Sequence, residues 1–335
     1  MTDMPIYLAH DHMDRVEDLK RDHAAGVTGK ILHMLVDAWI DAPSREQFEA
    51  SYFGYDGFAE RGIEAIAKQL RHERENSDWL KIVRTADDLR NARHQGLFGL
   101  ILGTEGGKMI GDSISQLNAF HELGMRHIQF NWSMRNKISA SQENELESDR
   151  PGLTPFGRTV VSRMNELGMV VDVSHSSPTA IADTLEETSL PILNSHSGSR
   201  ELAPKLQNLW DDQIRSMAEN GGVIGIHFCS RLVLGVNDKQ AEIADVVRQI
   251  RYVADIGGID VIGLGPDFIL GNQERDKLYT RNTSQDDISW TRGLESTSEI
   301  GNIVGPLEAD GFTELEIEKI LGGNLYRLFD EVLPE

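Results

Sequence analysis

The chain has 335 residues, 39% of them hydrophobic and 26% charged, which is ample for a large buried core. Its 33 basic and 54 acidic residues leave a net charge of −21, so nucleic acid and anionic membrane surfaces are poor partners. The single cysteine, Cys229, rules out an intrachain disulfide, and no apolar run approaches the roughly 18 residues of a membrane span.

The N-terminus, Met-Thr-Asp-Met-Pro, lacks a basic segment followed by an apolar stretch, so a cytoplasmic protein is expected. Short apolar runs then alternate with amphipathic stretches. Ile6–His12 and Ile31–Val36 read as the first two strands. Arg45–Arg74, interrupted near Gly54–Gly57, reads as two helices. Ala86–His94 reads as another, with Thr85 as its N-cap. Strand Leu97–Gly103, helix Ser113–Leu123, strand His127–Trp132, helix Pro155–Leu167 and strand Met169–His175 follow. Gly124 and Gly168 stand where the two helices should stop, because glycine accepts a left-handed conformation. The remainder reads as helix Pro178–Glu187, strand Pro191–His196, helix Asp211–Asn220, strand Val223–Phe228, helix Glu242–Ile256, strand Val261–Asp267 and a closing helix, Thr313–Phe329. Two long polar connections, Arg135–Gly152 and Gly271–Ser298 (the latter with Tyr279 and Trp290), are either lids or solvated loops.

Eight alternations of strand and helix fit a single (β/α)8 TIM-barrel domain over residues 1–335, with a doubly wound open sheet as the alternative. The position of the polar residues favours the barrel. His12 and Asp14, Glu105, His175, His196 and Asp267 all fall at the C-terminal ends of candidate strands, the face where barrel enzymes build their sites. An open sheet would gather its site at one switch point.

These residues also suggest a chemistry. His12-x-Asp14 puts two ligands on one side of a strand, because side chains alternate with period two. Nitrogen and oxygen donors on buried strand ends suit zinc or a similar first-row ion. Three histidines and two carboxylates exceed what one open tetrahedral site needs and suit a pair of ions. Glu105 is the natural bridge, since a carboxylate can offer one oxygen to each ion. His10 and Asp11 read as outer neighbours of the ligands, and His33 and His127 as core residues. Cys229 reads as a buried small hydrophobe. His227, two residues before it, reads as a pocket-lining or interior histidine. Ser174 and Ser176 flank His175, but no Gly-x-Ser-x-Gly elbow supports a serine nucleophile.

From about Tyr7 to Phe329 the motifs His12-Met-Asp14, Thr104-Glu105-Gly-Gly107, Leu123-Gly-Met-Arg126, Gly152-Leu-Thr-Pro-Phe-Gly157, Asp172-Val-Ser-His175, Asn194-Ser-His196-Ser197, Gly265-Pro-Asp267-Phe268 and Gly323-Asn324 occur in order. In these the chain resembles the renal, or membrane, dipeptidases, binuclear zinc peptidases on a (β/α)8 barrel. The resemblance implies two Zn2+ per chain. His12 and Asp14 would bind one ion and His175 and His196 the other, with Glu105 bridging. A hydroxide between the ions would attack the amide of a dipeptide-like substrate, and Asp267 would carry the proton. A homodimer is also implied.

Two positions depart from the family pattern. Trp132 stands where many members carry a substrate-contacting histidine, and an indole donates one hydrogen bond but cannot become a cation. Gln207, eleven residues after His196, stands where members usually carry the arginine that grips the substrate carboxylate. Arg200, Lys205 or Arg231 would have to supply that charge. Asp267-Phe268-Ile269-Leu270 also replaces the usual Asp-Phe-Asp-Gly. The leading expectation is a metal-dependent dipeptidase. The alternatives are a related hydrolase of a non-dipeptide amide or ester and, more remotely, a non-catalytic small-molecule binding barrel.

Overall fold

Nine strands run in parallel in the computed structural model, which describes residues 4–35, 37, 42–51, 54–237, 239–269 and 289–335. They are β1 (Ile6–Asp11), β2 (Val27–Leu35), β3 (Leu80–Ile82), β4 (Phe98–Glu105), β5 (His127–Gln129), β6 (Val170–Asp172), β7 (Leu193–Ser197), β8 (Val223–Ile226) and β9 (Ile262–Leu264). β2 pairs directly with β4, and β1 pairs with β9, so eight strands close into a (β/α)8 barrel. The eight are the expected ones. β3 is an addition that lies against the first residues of β4. The expected Val36, Leu270, Tyr279 and most of the Gly271–Ser298 connection lie outside the described residues.

The helices surround this ring. Pro155–Leu167 and Pro178–Glu187 have the expected bounds, with proline in the first turn of each and Thr154 and Ser177 as N-caps. The Arg45–Arg74 region divides into Arg45–Ser51 and Phe58–Glu75, as its interruption predicts. The closing helix does not run unbroken. Glu314–Glu318 passes through a π turn at Lys319–Gly323 into Asn324–Val332. The break falls where Gly322 meets β1, and a Cβ there would sit 2.5 Å from the Tyr7 nitrogen.

Asn324–Val332 closes the barrel floor. Leu325, Leu328, Phe329 and Val332 pack with Tyr7, Ala9, Ile31, Ile101, Leu193 and Val223 from the strands. Burying each such side chain is worth about 1.5–3 kcal/mol, so the terminal helix plugs one end while polar side chains fill the other. No helix among the described residues is long and apolar enough to cross a membrane.

Two irregularities aim side chains at the polar end. The register of β1 shifts between Leu8 and Asp11. Tyr7 and Ala9 belong to the floor cluster, yet past the shift His10 and His12 face the interior and Asp11 turns out to Lys30. An uninterrupted strand would have sent both histidines the other way, because alternation has period two. The register of β7 likewise shifts between Asn194 and Ser197. The Ser195 carbonyl presses so closely on β8 and the end of β9 that a Cβ at Gly225 or Gly265 would lie 2.0 or 1.9 Å from its oxygen. Only glycine leaves that space.

Candidate metal centre

Glu105 ends β4 with its two oxygens facing different histidines. Oε2 lies 3.4 Å from His12 Nε2, while Oε1 lies 3.2 Å from His175 Nε2 and 3.6 Å from His196 Nε2. The Nε2 atoms of His175 and His196 are 3.0 Å apart. Asp267, just past β9, brings Oδ1 to 3.1 Å from His12 Nε2 and Oδ2 to 3.1 Å from His227 Nε2. His10 joins the group, its Nε2 3.0 Å from that of His12. Among the described residues, His10, His12 and Glu105 form one set able to hold a metal ion, and Glu105, His175 and His196 another.

Hydrogen bonds fix several of these rings. His12 Nδ1 lies 2.7 Å from the carbonyl of His33, so it carries the proton and leaves Nε2 with a lone pair. His227 is set the other way. Its Nδ1 accepts from the Cys229 N–H at 2.8 Å, so Nε2–H donates to Asp267. Asp172 Oδ1 accepts the backbone N–H groups of Ser174 and Ser195 at 2.9 and 3.1 Å, tying down the residues that precede His175 and His196. Its other oxygen faces His127 at 3.0 Å and His33 at 3.6 Å.

Burial dominates the electrostatics. It lowers His175 to about 4 and, with help from neighbouring imidazoles, holds His10 and His196 well below the usual histidine range. The rings are therefore neutral, the form that binds metal. The two carboxylates part company. Burial lifts Glu105 to about 8 against the pull of His12, and the neighbouring Asp267 charge adds to the rise. Burial also opposes charge on Asp267, but its close contacts with His12 and His227, the latter a hydrogen-bond donor, prevail and hold it well below the carboxylate range. The donor set of buried imidazole nitrogens and carboxylate oxygens fits zinc or a similar first-row ion. His175 Nδ1 is buried and has no hydrogen-bond partner among the described residues, where the ring's polar contacts run through Nε2.

A cavity of about 320 Å3 opens above this cluster. Trp132, Gln207 and His227 line it, together with Cys229, Lys205 and Arg231. Gln207 donates from Nε2 to the His196 carbonyl at 3.2 Å. Trp290, from the second long connection, also faces the cavity and donates to the Pro266 carbonyl at 3.1 Å. Of the first connection, Gln142 and Glu143 reach the cavity.

Two expected residues stand elsewhere. Asp14 lies beyond the end of β1, where alternation no longer governs direction, and its carboxylate meets Lys68 Nζ at 2.8 Å. Arg200 does not line the cavity. Its guanidinium lies over Trp210 and takes both oxygens of Glu145 at 2.9 and 2.7 Å, so it anchors the Arg135–Gly152 connection. His10 was expected only as an outer neighbour of the ligands, and Ser195 and Asp172 were given no role of their own. The available signals were the period-two spacing of His10 and His12 and the placement of Ser195 beside His196.

Fold and site together define a (β/α)8 barrel with a histidine–carboxylate centre at the C-terminal ends of its strands. The membrane dipeptidase model (peptidase family M19) matches residues 55–333, and the chain belongs to that family. Dipeptidase tcpJ of Claviceps purpurea (strain 20.1) is 32% identical over 76% of this chain and 56% of its own length. Dipeptidase 3 of Mus musculus is 27% identical over 98% of this chain and 63% of its own. The chain thus spans little more than half the length of these relatives. Among solved structures, an amidohydrolase from Pseudomonas aeruginosa shares the fold with a TM-score of 0.82 at 24% identity, covering 99% of this chain and 98% of that one. A metallo peptidase from Rhodobacter sphaeroides, liganded with a phosphinate mimic of the dipeptide L-Ala-D-Ala, superposes with a TM-score of 0.78 at 21% identity over 98% and 99%.

Proposed function

We propose that this chain is a metal-dependent dipeptidase carrying two zinc ions in one barrel domain. The observation that carries this reading is the division of Glu105, one oxygen toward His12 and the other toward His175 and His196. His12 and Glu105 would hold one ion, and Glu105, His175 and His196 the other. When bound, such a pair supplies an acidified water and polarises the scissile carbonyl. Asp267, kept ionised and oriented by the fixed Nε2–H of His227, faces the same space and would take the proton from the attacking water and return it to the leaving amine. Family membership and the dipeptidase relatives support this reading.

Metal analysis combined with turnover of a panel of L,L and L,D dipeptides tests it. Two zinc ions per chain are expected, with Asp267→Asn retaining metal but losing at least 100-fold in kcat. Trace metal in the purified protein, with D267N as active as wild type, would sink the proposal.

Trp132 and Gln207 favour a second reading, hydrolysis of an amide or ester that lacks a free carboxylate. A charged hydrogen bond is worth roughly 1.5–3 kcal/mol against about 1 for a neutral one. On this reading Gln207→Arg lowers KM for free dipeptides roughly tenfold and leaves carboxyl-blocked substrates unchanged. An unchanged KM for both would indicate that Lys205 and Arg231, on the cavity wall, already supply the charge.

A further inference from the structure

The two-ion reading leaves the first ion short of a protein ligand, since Asp14 is paired with Lys68. We infer that His10, brought inside by the register shift in β1, completes this site with His12 and Glu105. The inference rests on the two-ion reading and adds a ligand to it.

The argument turns on where the imidazole protons are. His12 Nδ1–H is committed to the His33 carbonyl. His10 Nδ1 lies 2.9 Å from Ser195 Oγ, and His196 Nδ1 lies 3.0 Å from the same oxygen. A hydroxyl has one proton to give and two lone pairs to receive with. Gln129 commits its Nε2 to the Asn131 carbonyl at 2.6 Å, which leaves its Oε1 facing Ser195 Oγ at 3.4 Å as an acceptor for that proton. Ser195 can then accept Nδ1–H from both histidines. With both Nδ1 atoms protonated, His10 and His12 present two bare lone pairs to each other across 3.0 Å. Asp267 Oδ1 stands 3.5 and 3.1 Å from these same two nitrogens, and Glu105 Oε2 stands 3.4 Å from His12. Two imidazole nitrogens and two carboxylate oxygens thus converge on one point, and His10, His12 and Glu105 lie close enough together to share one metal ion. His10 and His12 are both buried, whereas the Asp14 side chain is 30% exposed and faces an ammonium group.

Ser195 is then a positioning residue for both halves of the centre. One hydroxyl sets the tautomer of a ligand on each side, an outer hydrogen bond of the kind worth 10–100-fold in metal affinity.

The test is zinc content by mass spectrometry after dialysis against metal-free buffer, on full-length wild type, His10→Gln and Asp14→Asn. The cobalt-substituted proteins provide visible spectra as a second readout. His10→Gln is expected to hold one ion fewer than wild type and to lose part of the cobalt absorption. Asp14→Asn is expected to match wild type in both. Equal metal in wild type and His10→Gln overturns the assignment, as does loss of an ion in Asp14→Asn, a variant that remains informative should His10→Gln fail to fold. A wild-type protein with a single ion overturns the two-ion reading instead, while the comparison between variants still judges His10.

Discussion

His175 and Asp267 hold backbone φ angles of 62° and 56°. These left-handed values cost a residue with a side chain about 1 kcal/mol or more. Both residues follow a strand, and the reversal throws each side chain back over the barrel mouth. The strain can be measured directly. His175→Gly should be more stable than His175→Ala by about 1 kcal/mol in urea unfolding, the reverse of the ordinary ranking, because glycine adopts the conformation freely. Equal stability of the two would mean the position is relaxed. At this scale much was legible, because His12, Glu105, His175, His196 and Asp267 each end an apolar run, and that pattern needs no tertiary knowledge. Asp14, expected beside His12, is turned to Lys68 for a definite reason. Alternation holds only within a strand, and β1 stops at Asp11. The same rule, applied backward from His12, points to His10.

The closing helix was expected as one element, and its break has a tertiary cause. Gly322 passes the β1 backbone so closely that an added Cβ would lie 2.5 Å from the Tyr7 nitrogen and 2.8 Å from the Pro5 oxygen. Gly322→Ala should therefore cost roughly 1–3 kcal/mol, or more if β1 cannot shift, read as a lower Tm at unchanged secondary structure. A loss within experimental error would mean the helix can slide. Helical periodicity continues through the break, and the adjacent Gly322 and Gly323 were its one local signal. β3 escaped notice because three residues cannot display a period. The other eight strands were readable because parallel strands buried on both faces leave long apolar runs. The irregularities in β1 and β7 were not, since a register shift depends on which neighbour the strand meets.

For the whole molecule, one buried carboxylate tunes stability to pH. Burial raises Asp37 to about 7, with Lys108 opposing it. Asp37 Oδ1 also accepts the Lys108 N–H at 2.7 Å. A raised acid favours the fold most below its unfolded value near 4, and that contribution is lost as pH rises through about 7. Asp37→Asn keeps the acceptor and stays neutral. Its stability relative to wild type should grow between pH 4 and 7, toward a ceiling of ~4 kcal/mol. A constant difference across that range would exclude Asp37 as the titrating group.

The barrel closes where β1 meets β9, and the backbone bonds flanking that seam belong to the centre itself. The His12 N–H donates to the Phe268 carbonyl at 3.2 Å, and the Asp267 N–H donates to the His10 carbonyl at 3.1 Å. The first and last strands of the ring thus each deliver a polar group to one point. During synthesis His12 waits for nearly the whole chain before Asp267 can reach it. A partly made barrel would contain ligands but no assembled centre, so the reactive constellation and the finished ring arise in the same event.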